Sequence, residues 1–287
     1  MRKKIILIFT LVILMSLSGC SRSKTATIKK TAPVKPATAV EPIKPAEPAQ
    51  TSSIPAFDKT AVMKASGKSV PVLMYHSIDY EKDNPIRLPV KRFEEQLKYL
   101  KDNGYYTITL TNLYEYLIKD IPIPEKSIVL TFDDGYEDNY TDMFPVLKKY
   151  NFKATIFVIT GSIDKSPNYM TSKQLVEMEK YGVEIGSHTV KHENLKEMPK
   201  DKQLETLVKS KKDLEKILNK QIKFFSYPYG GYSKTSIEAV REAGYTMAFS
   251  TDGRWSSKED GILSLHRVYI SSFHDMEEFK KRISNTD

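Results

Sequence analysis

The sequence predicts one α/β domain built on a parallel β-sheet, preceded by a leader and a linker without regular structure. Short apolar runs alternate with helical patterns from about residue 67 to the end of the chain. The runs are continuously apolar, which is typical of strands that are covered on both faces in a parallel sheet. About 220 residues remain after the linker, roughly the size of one α/β barrel domain with a large core.

The N-terminus predicts export and attachment to a membrane. Three basic residues at positions 2–4 precede the apolar run Ile5–Leu17, which is shorter than the ~20 residues of a comfortable membrane span. The segment 17–20 resembles the lipobox of bacterial lipoproteins, which implies cleavage before Cys20 and lipidation of its thiol. We therefore expect residues 1–20 to be a lipoprotein signal peptide and the protein to be extracytoplasmic, lipid-anchored to the cell membrane. An ordinary signal peptide or an uncleaved anchor are the alternatives.

Residues 21–66 predict a disordered tether. Six prolines recur there among Ala, Thr, Lys and Val, without a helical or strand period. The segment 1–66 holds 11 Lys and Arg and 3 Asp and Glu, so 67–287 holds 33 of each. The net charge of +8 therefore belongs to the N-terminal part, and a nucleic-acid partner is not predicted. Cys20 is the one cysteine of the chain, which excludes an internal disulfide.

The predicted domain, 67–287, begins with two strand and helix pairs. Val70–Tyr75 is an apolar run of strand length, and Phe93–Leu100 carries apolar residues at helical spacing before Gly104 ends the pattern. A short strand at 106–110 and a short helix at 113–118 follow.

The middle of the domain contains its most apolar strands. Ser127–Phe132 is a continuous buried-strand run, and Ala154–Ile159 is a second, with a helix at 144–150 between them. Thr171 with Gln174 three positions later is the pattern of a capping box that opens the next helix. The remaining pattern predicts strands at 183–188, 224–227, 245–250 and 267–270, and helices at 200–218, 236–243 and 276–283.

Polar residues with possible chemistry follow several of these strands. Asp133 and Asp134 come directly after one strand, and His188 ends another, with His192 four positions later. The carboxyl ends of parallel strands meet at one edge of the sheet, where ligands bind in such folds. Two histidines on one side of a helical turn, with one carboxylate, suit a catalytic zinc ion. An Asp-Gly turn and two unrelated packed imidazoles remain the alternative.

The motifs TFDDG at 131–135, HTVKH at 188–192 and SYPYGGYS at 226–233 together resemble the polysaccharide deacetylases of carbohydrate esterase family 4, the NodB homology domain. The resemblance covers about 126–287. The preceding segment VPVLMYHSI resembles the first strand of the branch that acts on poly-N-acetylglucosamine and related surface polymers. The family implies a deformed (β/α) barrel with fewer than eight full repeats.

The resemblance also implies roles for individual residues. Asp133 matches the general base, and Asp134, His188 and His192 match the ligands of one divalent metal ion. Tyr229 matches the residue whose backbone N–H stabilises the oxyanion. Zn²⁺ suits two histidines and a carboxylate, although Co²⁺, Ni²⁺ and Mn²⁺ also fill such sites.

The sequence departs from the family at three places. Ser226 stands where the family has an arginine that pairs with the base, and we expect Arg267 to replace it. His266 lies close to the place of the family's general acid, and we prefer it to His76, which is the rival acid or a substrate contact. Trp255 is expected either to stack on a sugar ring or to pack in the core.

These observations predict a metal-dependent hydrolase that removes N-acetyl groups from cell-surface polysaccharide, either peptidoglycan or a poly-N-acetylglucosamine-like exopolymer. Two alternatives stay open. The same site would serve an O-acetyl esterase, and the missing arginine at Ser226 is compatible with a non-catalytic glycan-binding lipoprotein. No protein partner is predicted, and the sequence indicates neither the particular polymer nor the oligomeric state.

Overall fold

The computed structural model describes Phe57 and residues 60–284. The predicted signal peptide, its lipidation site Cys20 and nearly all of the predicted tether lie outside these residues. In the described part of the chain, no helix has the length and apolar character needed to cross a membrane.

All the predicted strands and helices are present. The strands are β1 (Val72–Tyr75), β2 (Tyr106–Thr107), β3 (Ser127–Phe132), β4 (Thr155–Val158), β5 (Glu184–Ser187), β6 (Phe224–Ser226), β7 (Met247–Phe249) and β8 (Val268–Tyr269). The helices are α1 (Val90–Asp102), α2 (Leu110–Lys119), α3 (Phe144–Tyr150), α4 (Ser172–Tyr181), α5 (Lys200–Leu218), α6 (Lys234–Glu242) and α7 (Met276–Ser284). The Thr171 hydroxyl accepts from the Gln174 backbone N–H, so the predicted capping box of α4 is confirmed.

The strands form one curled parallel sheet in the order β7-β6-β5-β4-β3-β1-β8, with β2 paired to the start of β3. One extended segment, 265–269, contacts both edges. Leu265 bridges to Phe249 in β7, while Val268 and Tyr269 pair with β1. The sheet therefore curls into the deformed (β/α) barrel that the family resemblance implied.

The core has two layers because adjacent residues of a strand point to opposite faces. Inside the curl, Val72, Val129 and Phe157 pack with side chains from β6 and β7. On the outer face, Leu73, Leu130 and Ile156 belong to a larger cluster that includes the buried faces of the helices. Gly186 is required at this packing density, because a Cβ there would lie 2.6 Å from the ring of Phe157.

Residues just before the predicted domain boundary at residue 67 pair with the loop before β3. Met63 forms an antiparallel bridge with Pro124, and the Lys64 N–H donates to the Ile123 carbonyl at 2.8 Å. The Glu125 N–H donates to the Val62 carbonyl at 2.8 Å. These backbone hydrogen bonds hold 62–64 against the domain.

A partly buried carboxylate fixes the start of α2. Glu184, at the beginning of β5, accepts from the backbone N–H groups of Leu110 at 2.6 Å and Thr111 at 3.2 Å. Thr155 donates its hydroxyl to the same carboxylate at 3.2 Å. A negative charge at a helix N-terminus satisfies N–H groups that have no partner within the helix.

Candidate active site

The carboxyl ends of the strands surround a cleft of about 350 Å³. The loops after β1, β3, β4, β5, β6 and β7 all contribute to it. The cleft is lined by His76, Ile86, Asp133, Asp134, Tyr136, Ile159, Tyr169, His188, His192, Tyr229 and Thr251. The predicted gathering of polar residues at one edge of the sheet is therefore present.

Asp133 and Arg267 form a buried ion pair at the floor of this cleft. The two guanidinium NH groups donate to the two carboxylate oxygens, each at 2.7 Å. Arg267 also donates to the Ser226 hydroxyl at 2.7 Å, to the Thr131 hydroxyl at 3.1 Å and to the Ser250 carbonyl at 3.1 Å. The arginine expected to replace the one missing at Ser226 thus reaches the predicted base from a different strand.

Asp134, His188 and His192 converge on one point. Asp134 Oδ1 lies 3.5 Å from His188 Nε2 and 3.4 Å from His192 Nε2. One ligand atom from each residue lies within 4.8 Å of the other two. Donors held at about 2.1 Å around a tetrahedral ion are about 3.4 Å apart, so the spacing suits one first-row divalent cation.

Two further observations fit a cation at this point. Asp134 Oδ1 is buried and has no hydrogen-bond partner among the described residues, a costly state for a carboxylate oxygen without an ion. His188 Nδ1 lies 2.8 Å from the Ser226 carbonyl, so Nδ1 carries the proton and Nε2 keeps a free lone pair. The three residues therefore present three ligand atoms in the chemical form that a metal requires.

The two histidines lie on a turn, so the predicted helical turn is wrong. Thr189 and His192 have φ values of 66° and 60°, in the left-handed region that a regular helix excludes. Hydrogen bonds from the loop after β4 hold this turn, with the Thr160 and Gly161 N–H groups donating to the Thr189 and Val190 carbonyls at 3.1 and 2.8 Å. His192 is thus brought beside His188 by a turn whose backbone conformation is strained at two residues.

The electrostatics of the site favour a bound cation. Burial raises the pKa of Asp134 to about 6, and the neighbouring Asp133 adds to this effect. Burial lowers the pKa of His188 to about 3 and also lowers the pKa of His192. Both imidazoles are therefore neutral ligands at neutral pH, and a divalent cation would compensate the buried carboxylate.

The pKa of Asp133 is shifted in the opposite direction from that of Asp134. Burial alone would raise the pKa of its carboxyl, but the Arg267 guanidinium and then His188 hold this pKa well below the usual range. The carboxylate is therefore ionised at neutral pH, as a proton acceptor must be.

His76 and Tyr229 line the cleft, whereas His266 and Trp255 do not. His76 follows β1, and its Nδ1 is buried without a hydrogen-bond partner in the described part of the chain. Tyr229 has a φ of 59°, and its ring centroid lies 4.4 Å from that of His192. Both residues therefore lie in the same cleft as Asp133 and the three candidate metal ligands.

His266 occupies a separate cluster of charged groups. Its Nδ1 lies 3.0 Å from Asp252 and its Nε2 lies 3.1 Å from Asp260, with the guanidinium of Arg254 also in contact. Because adjacent residues of an extended chain point to opposite sides, Arg267 directed at Asp133 turns His266 away from the cleft. The predicted preference for His266 over His76 as the general acid therefore does not match the geometry.

Trp255 packs against the C-terminal helix. It is partly buried against the core, and its indole N–H donates to the Arg282 carbonyl in α7 at 3.0 Å. The core-packing alternative for this residue therefore agrees with its position, and the sugar-stacking alternative does not.

Sequence reasoning missed two tyrosines in the wall of the cleft. Tyr136 and Tyr169 are stacked with ring centroids 5.3 Å apart, and an isolated β-bridge joins their backbones. The Arg87 guanidinium lies 5.6 Å from the centroid of the Tyr136 ring. Tyr136 directly follows the TFDDG motif, which was the available signal, whereas Tyr169 lies in a loop without a motif.

The geometry defines a class: a parallel-sheet barrel with a candidate cation site and a buried, arginine-paired carboxylate at the carboxyl ends of its strands. The family model for polysaccharide deacetylases matches residues 120–248. YxkH of Bacillus subtilis (strain 168), which carries the name of a polysaccharide deacetylase, is 41% identical over 202 residues, covering 70% of this chain and 71% of that protein. The chain therefore belongs to the polysaccharide deacetylase family, whose members remove acetyl groups by hydrolysis.

The chain is also similar to a deacetylase with a named substrate and to two solved deacetylase structures. The poly-beta-1,6-N-acetyl-D-glucosamine N-deacetylase of Staphylococcus aureus (strain MRSA252) is 31% identical over 193 residues, covering 63% of this chain and 66% of that protein. The deacetylase PplD of Streptococcus pyogenes, solved in complex with acetate, has a TM-score of 0.73 and 32% identity, covering 77% of this chain and 100% of that one. The polysaccharide deacetylase BC0361 of Bacillus cereus has a TM-score of 0.68 and 30% identity, covering 76% and 69%.

Proposed function

We propose that this protein is a metal-dependent N-deacetylase of cell-surface polysaccharide, attached to the outer face of the cell membrane through a lipid on Cys20. The observation that carries the proposal is the convergence of Asp134, His188 and His192 on one point beside the Asp133–Arg267 pair. The substrate is peptidoglycan or a poly-N-acetylglucosamine-like exopolymer, and the S. aureus relative named for poly-N-acetylglucosamine supports the second.

Asp134, His188 and His192 would hold the metal ion. When bound, a divalent ion supplies an acidified water and a positive charge that polarises the acetyl carbonyl. Zn²⁺ is the metal we propose, because two imidazoles and one carboxylate are ligands that it prefers.

The remaining residues handle protons and charge. Asp133 takes a proton from the attacking water, since Arg267 keeps its carboxylate ionised and oriented. The backbone N–H of Tyr229 stabilises the negative charge that develops on the carbonyl oxygen. His76 gives a proton to the nitrogen as the carbon–nitrogen bond breaks, which releases acetic acid and a free amine, and the proton held by Asp133 returns to His76 through solvent.

Position favours His76 as the proton donor. It lines the cleft together with Asp133 and the proposed metal ligands, and a leaving amine requires a donor inside that space. His266 is surrounded by Asp252, Asp260 and Arg254 outside the cleft, so its imidazole has no path to a bound acetyl group.

The non-catalytic alternative loses its main support in this arrangement. It was based on the absence of an arginine at the position of Ser226. Because Arg267 makes a bidentate ion pair with Asp133 and also contacts the Ser226 hydroxyl, the base has its cationic partner.

An Asp133→Asn variant tests the proposal. With metal content equal to that of the wild type, it should lose at least ~10²-fold in acetate release from N-acetylglucosamine oligomers. Asp102→Asn, an exposed aspartate on α1, is the matched control. Wild-type turnover in Asp133→Asn would refute the base assignment, and faster release from O-acetylated than from N-acetylated oligomers would favour an esterase.

The polymer and the anchor need separate measurements. Mass spectrometry of purified peptidoglycan and exopolymer after incubation with the metal-loaded protein identifies which one gains free amines. Labelling of cells with a radioactive fatty acid, compared between wild type and Cys20→Ser, tests the lipid. Equal labelling of the two, or none in either, would contradict attachment at Cys20.

A further inference from the structure

His76 lies one residue beyond the point where the backbone pairing of β1 with β3 ends. β1 pairs with β3 up to Tyr75 and Phe132, and the Asp133 N–H donates to the Tyr75 carbonyl at 3.0 Å. His76 comes next, so no β3 backbone group continues this pairing to it. Its position must therefore be fixed by other groups, since a misplacement of 1 Å in an active-site group can cost about 10²-fold in rate.

Two side chains next to the TFDDG motif contact this segment. The Asn139 amide donates to the His76 carbonyl at 2.8 Å. Asp138 accepts from the Ser77 hydroxyl and from the Ile78 N–H, each at 2.7 Å. Three consecutive residues, 76–78, are thus held by two consecutive residues on the loop that follows β3.

The two holding residues also support each other. The Asn139 amide donates to Asp138 Oδ1 at 3.0 Å, and Arg87 donates to the Ser77 hydroxyl at 3.3 Å. Asn139 is fully buried at the start of a π-helical turn, Asn139–Met143, which leads into α3. Such turns are rare in proteins, and those that occur often lie at functional sites.

The orientation of Asn139 is set by its neighbours. Its amide nitrogen faces two acceptors, the His76 carbonyl and the Asp138 carboxylate, while its Oδ1 is buried without a partner among the described residues. An unsatisfied buried oxygen is unfavourable, and an apolar side chain here would in addition remove the donor from both acceptors. The presence of an amide at this position is therefore explained by the two hydrogen bonds that its nitrogen donates.

We propose that Asn139 and Asp138 are positioning residues that hold the backbone of 76–78 and thereby keep the His76 imidazole in the cleft beside Asp133. The inference rests on the proposed function, in which His76 donates the proton to the leaving amine. It adds that one continuous segment, 133–139, supplies the base, one metal ligand and the support of the acid.

The test is a double-mutant cycle between Asn139→Leu and His76→Ala, with acetate release from N-acetylglucosamine oligomers as the readout. Asn139→Leu should lower kcat about 10- to 100-fold with KM and metal content little changed, because it displaces the acid. His76→Ala should lower kcat about 10²- to 10⁴-fold. The double variant should equal His76→Ala, since a displaced acid no longer matters when the acid is absent.

Gln203→Leu is the matched control. Gln203 is also a buried amide that donates to a backbone carbonyl, Met198 O at 2.7 Å, and its Oε1 is likewise unsatisfied among the described residues, but it lies outside the cleft. It should lose thermal stability as Asn139→Leu does, while keeping the wild-type kcat. Ser77→Ala, which removes one contact to Asp138, provides a milder variant if Asn139→Leu does not fold, with a smaller loss of kcat that also disappears in the His76→Ala background.

The failures are distinguishable. An Asn139→Leu loss that adds fully to that of His76→Ala, or an equal loss in Gln203→Leu, would show a purely structural role and overturn the inference alone. A wild-type protein that releases no acetate, or a His76→Ala variant with wild-type kcat, would remove the proposed function or its acid, and the inference with it.

Discussion

Replacement of Arg267 by methionine should destabilise the protein strongly, because it leaves a buried carboxylate without its partner. Arg267 is fully buried and makes five hydrogen bonds, two of them to Asp133. Removal of one member of a buried ion pair typically costs about 3–5 kcal/mol. For a domain of this size, 1 kcal/mol corresponds to about 2–4 °C in Tm, so a loss of about 4 kcal/mol predicts a decrease of about 8–16 °C.

The loss should depend on pH, with a sign that follows from the pKa of Asp133. Burial raises this pKa, and Arg267 reverses the effect and holds it below the usual range. A depressed pKa contributes stability that is present above the unfolded-state pKa of about 3.9 and is lost as pH falls through the folded value. Without Arg267, burial alone remains and the carboxyl binds a proton more readily. The difference between wild type and Arg267→Met should therefore be largest near pH 7 and shrink towards pH 4.

Urea denaturation of the chelator-treated protein measures this loss without a contribution from metal binding. Asp133→Asn should destabilise the wild type, since it leaves the Arg267 charge unpaired, but should restore part of the stability of Arg267→Met, since it removes the uncompensated carboxylate. Stability of Arg267→Met within about 1 kcal/mol of wild type would refute the reasoning. So would a double variant whose loss equals the sum of the two single losses.

Three further predictions concern the metal, the acid and a distant carboxylate. Chelation should abolish acetate release, and Zn²⁺ should restore it with one ion per chain by elemental analysis; His192→Ala should lower that stoichiometry. His76→Ala should lower kcat about 10²- to 10⁴-fold, whereas His266→Ala should lower Tm and retain a kcat well above that of His76→Ala. Burial raises the pKa of Glu184 in the folded protein. Its favourable contribution to the free energy of unfolding is therefore complete below the unfolded-state pKa of about 4.3, and it is lost as pH rises through the pKa of the folded state. The stability difference between wild type and Glu184→Gln in urea should therefore narrow between pH 4 and pH 7, and a constant or widening difference would contradict this.

The fold could be predicted because the apolar strand runs, the helical spacing and the positions of the polar residues all indicate a parallel α/β sheet. All six residues of Ser127–Phe132 are buried, and four of them are apolar. The other two, Ser127 and Thr131, donate their hydroxyls to the backbone carbonyls of Pro124 and Leu73. The rule that parallel strands share one carboxyl edge then placed Asp133, Asp134 and His188 together. The pairing of Arg267 with Asp133 was expected from the family resemblance, and it agrees with the rule that a buried carboxylate requires a cationic partner.

The errors arose where a long-range contact or an unusual backbone decided the outcome. A threonine with a φ of 66°, as at Thr189, is rare for a β-branched residue, so the turn that holds His192 could not be read from the sequence. The choice between the two positions expected for Trp255 stayed open, because its contact with Arg282 in α7 spans 27 residues and has no local signal. The His266 prediction overlooked strand alternation, which would have excluded two adjacent residues, 266 and 267, from facing the same cleft.

Arg267 illustrates why the base keeps its partner when the sequence motif changes. β6 and β7 pair with each other, and the segment before β8 bridges to β7, so Ser226 and Arg267 approach Asp133 from strands that are near one another. A serine at position 226 leaves room for a longer side chain from the next part of the barrel, and its hydroxyl accepts a hydrogen bond from that side chain at 2.7 Å. We expect that a guanidinium at the carboxylate is what the chemistry requires, and that position 226 in β6 could supply it as position 267 does. Exchange of the two residues, Ser226→Arg with Arg267→Ser, should therefore recover activity that Arg267→Ser alone loses, and no recovery in a folded double variant would show that the route of the side chain matters as well as its charge.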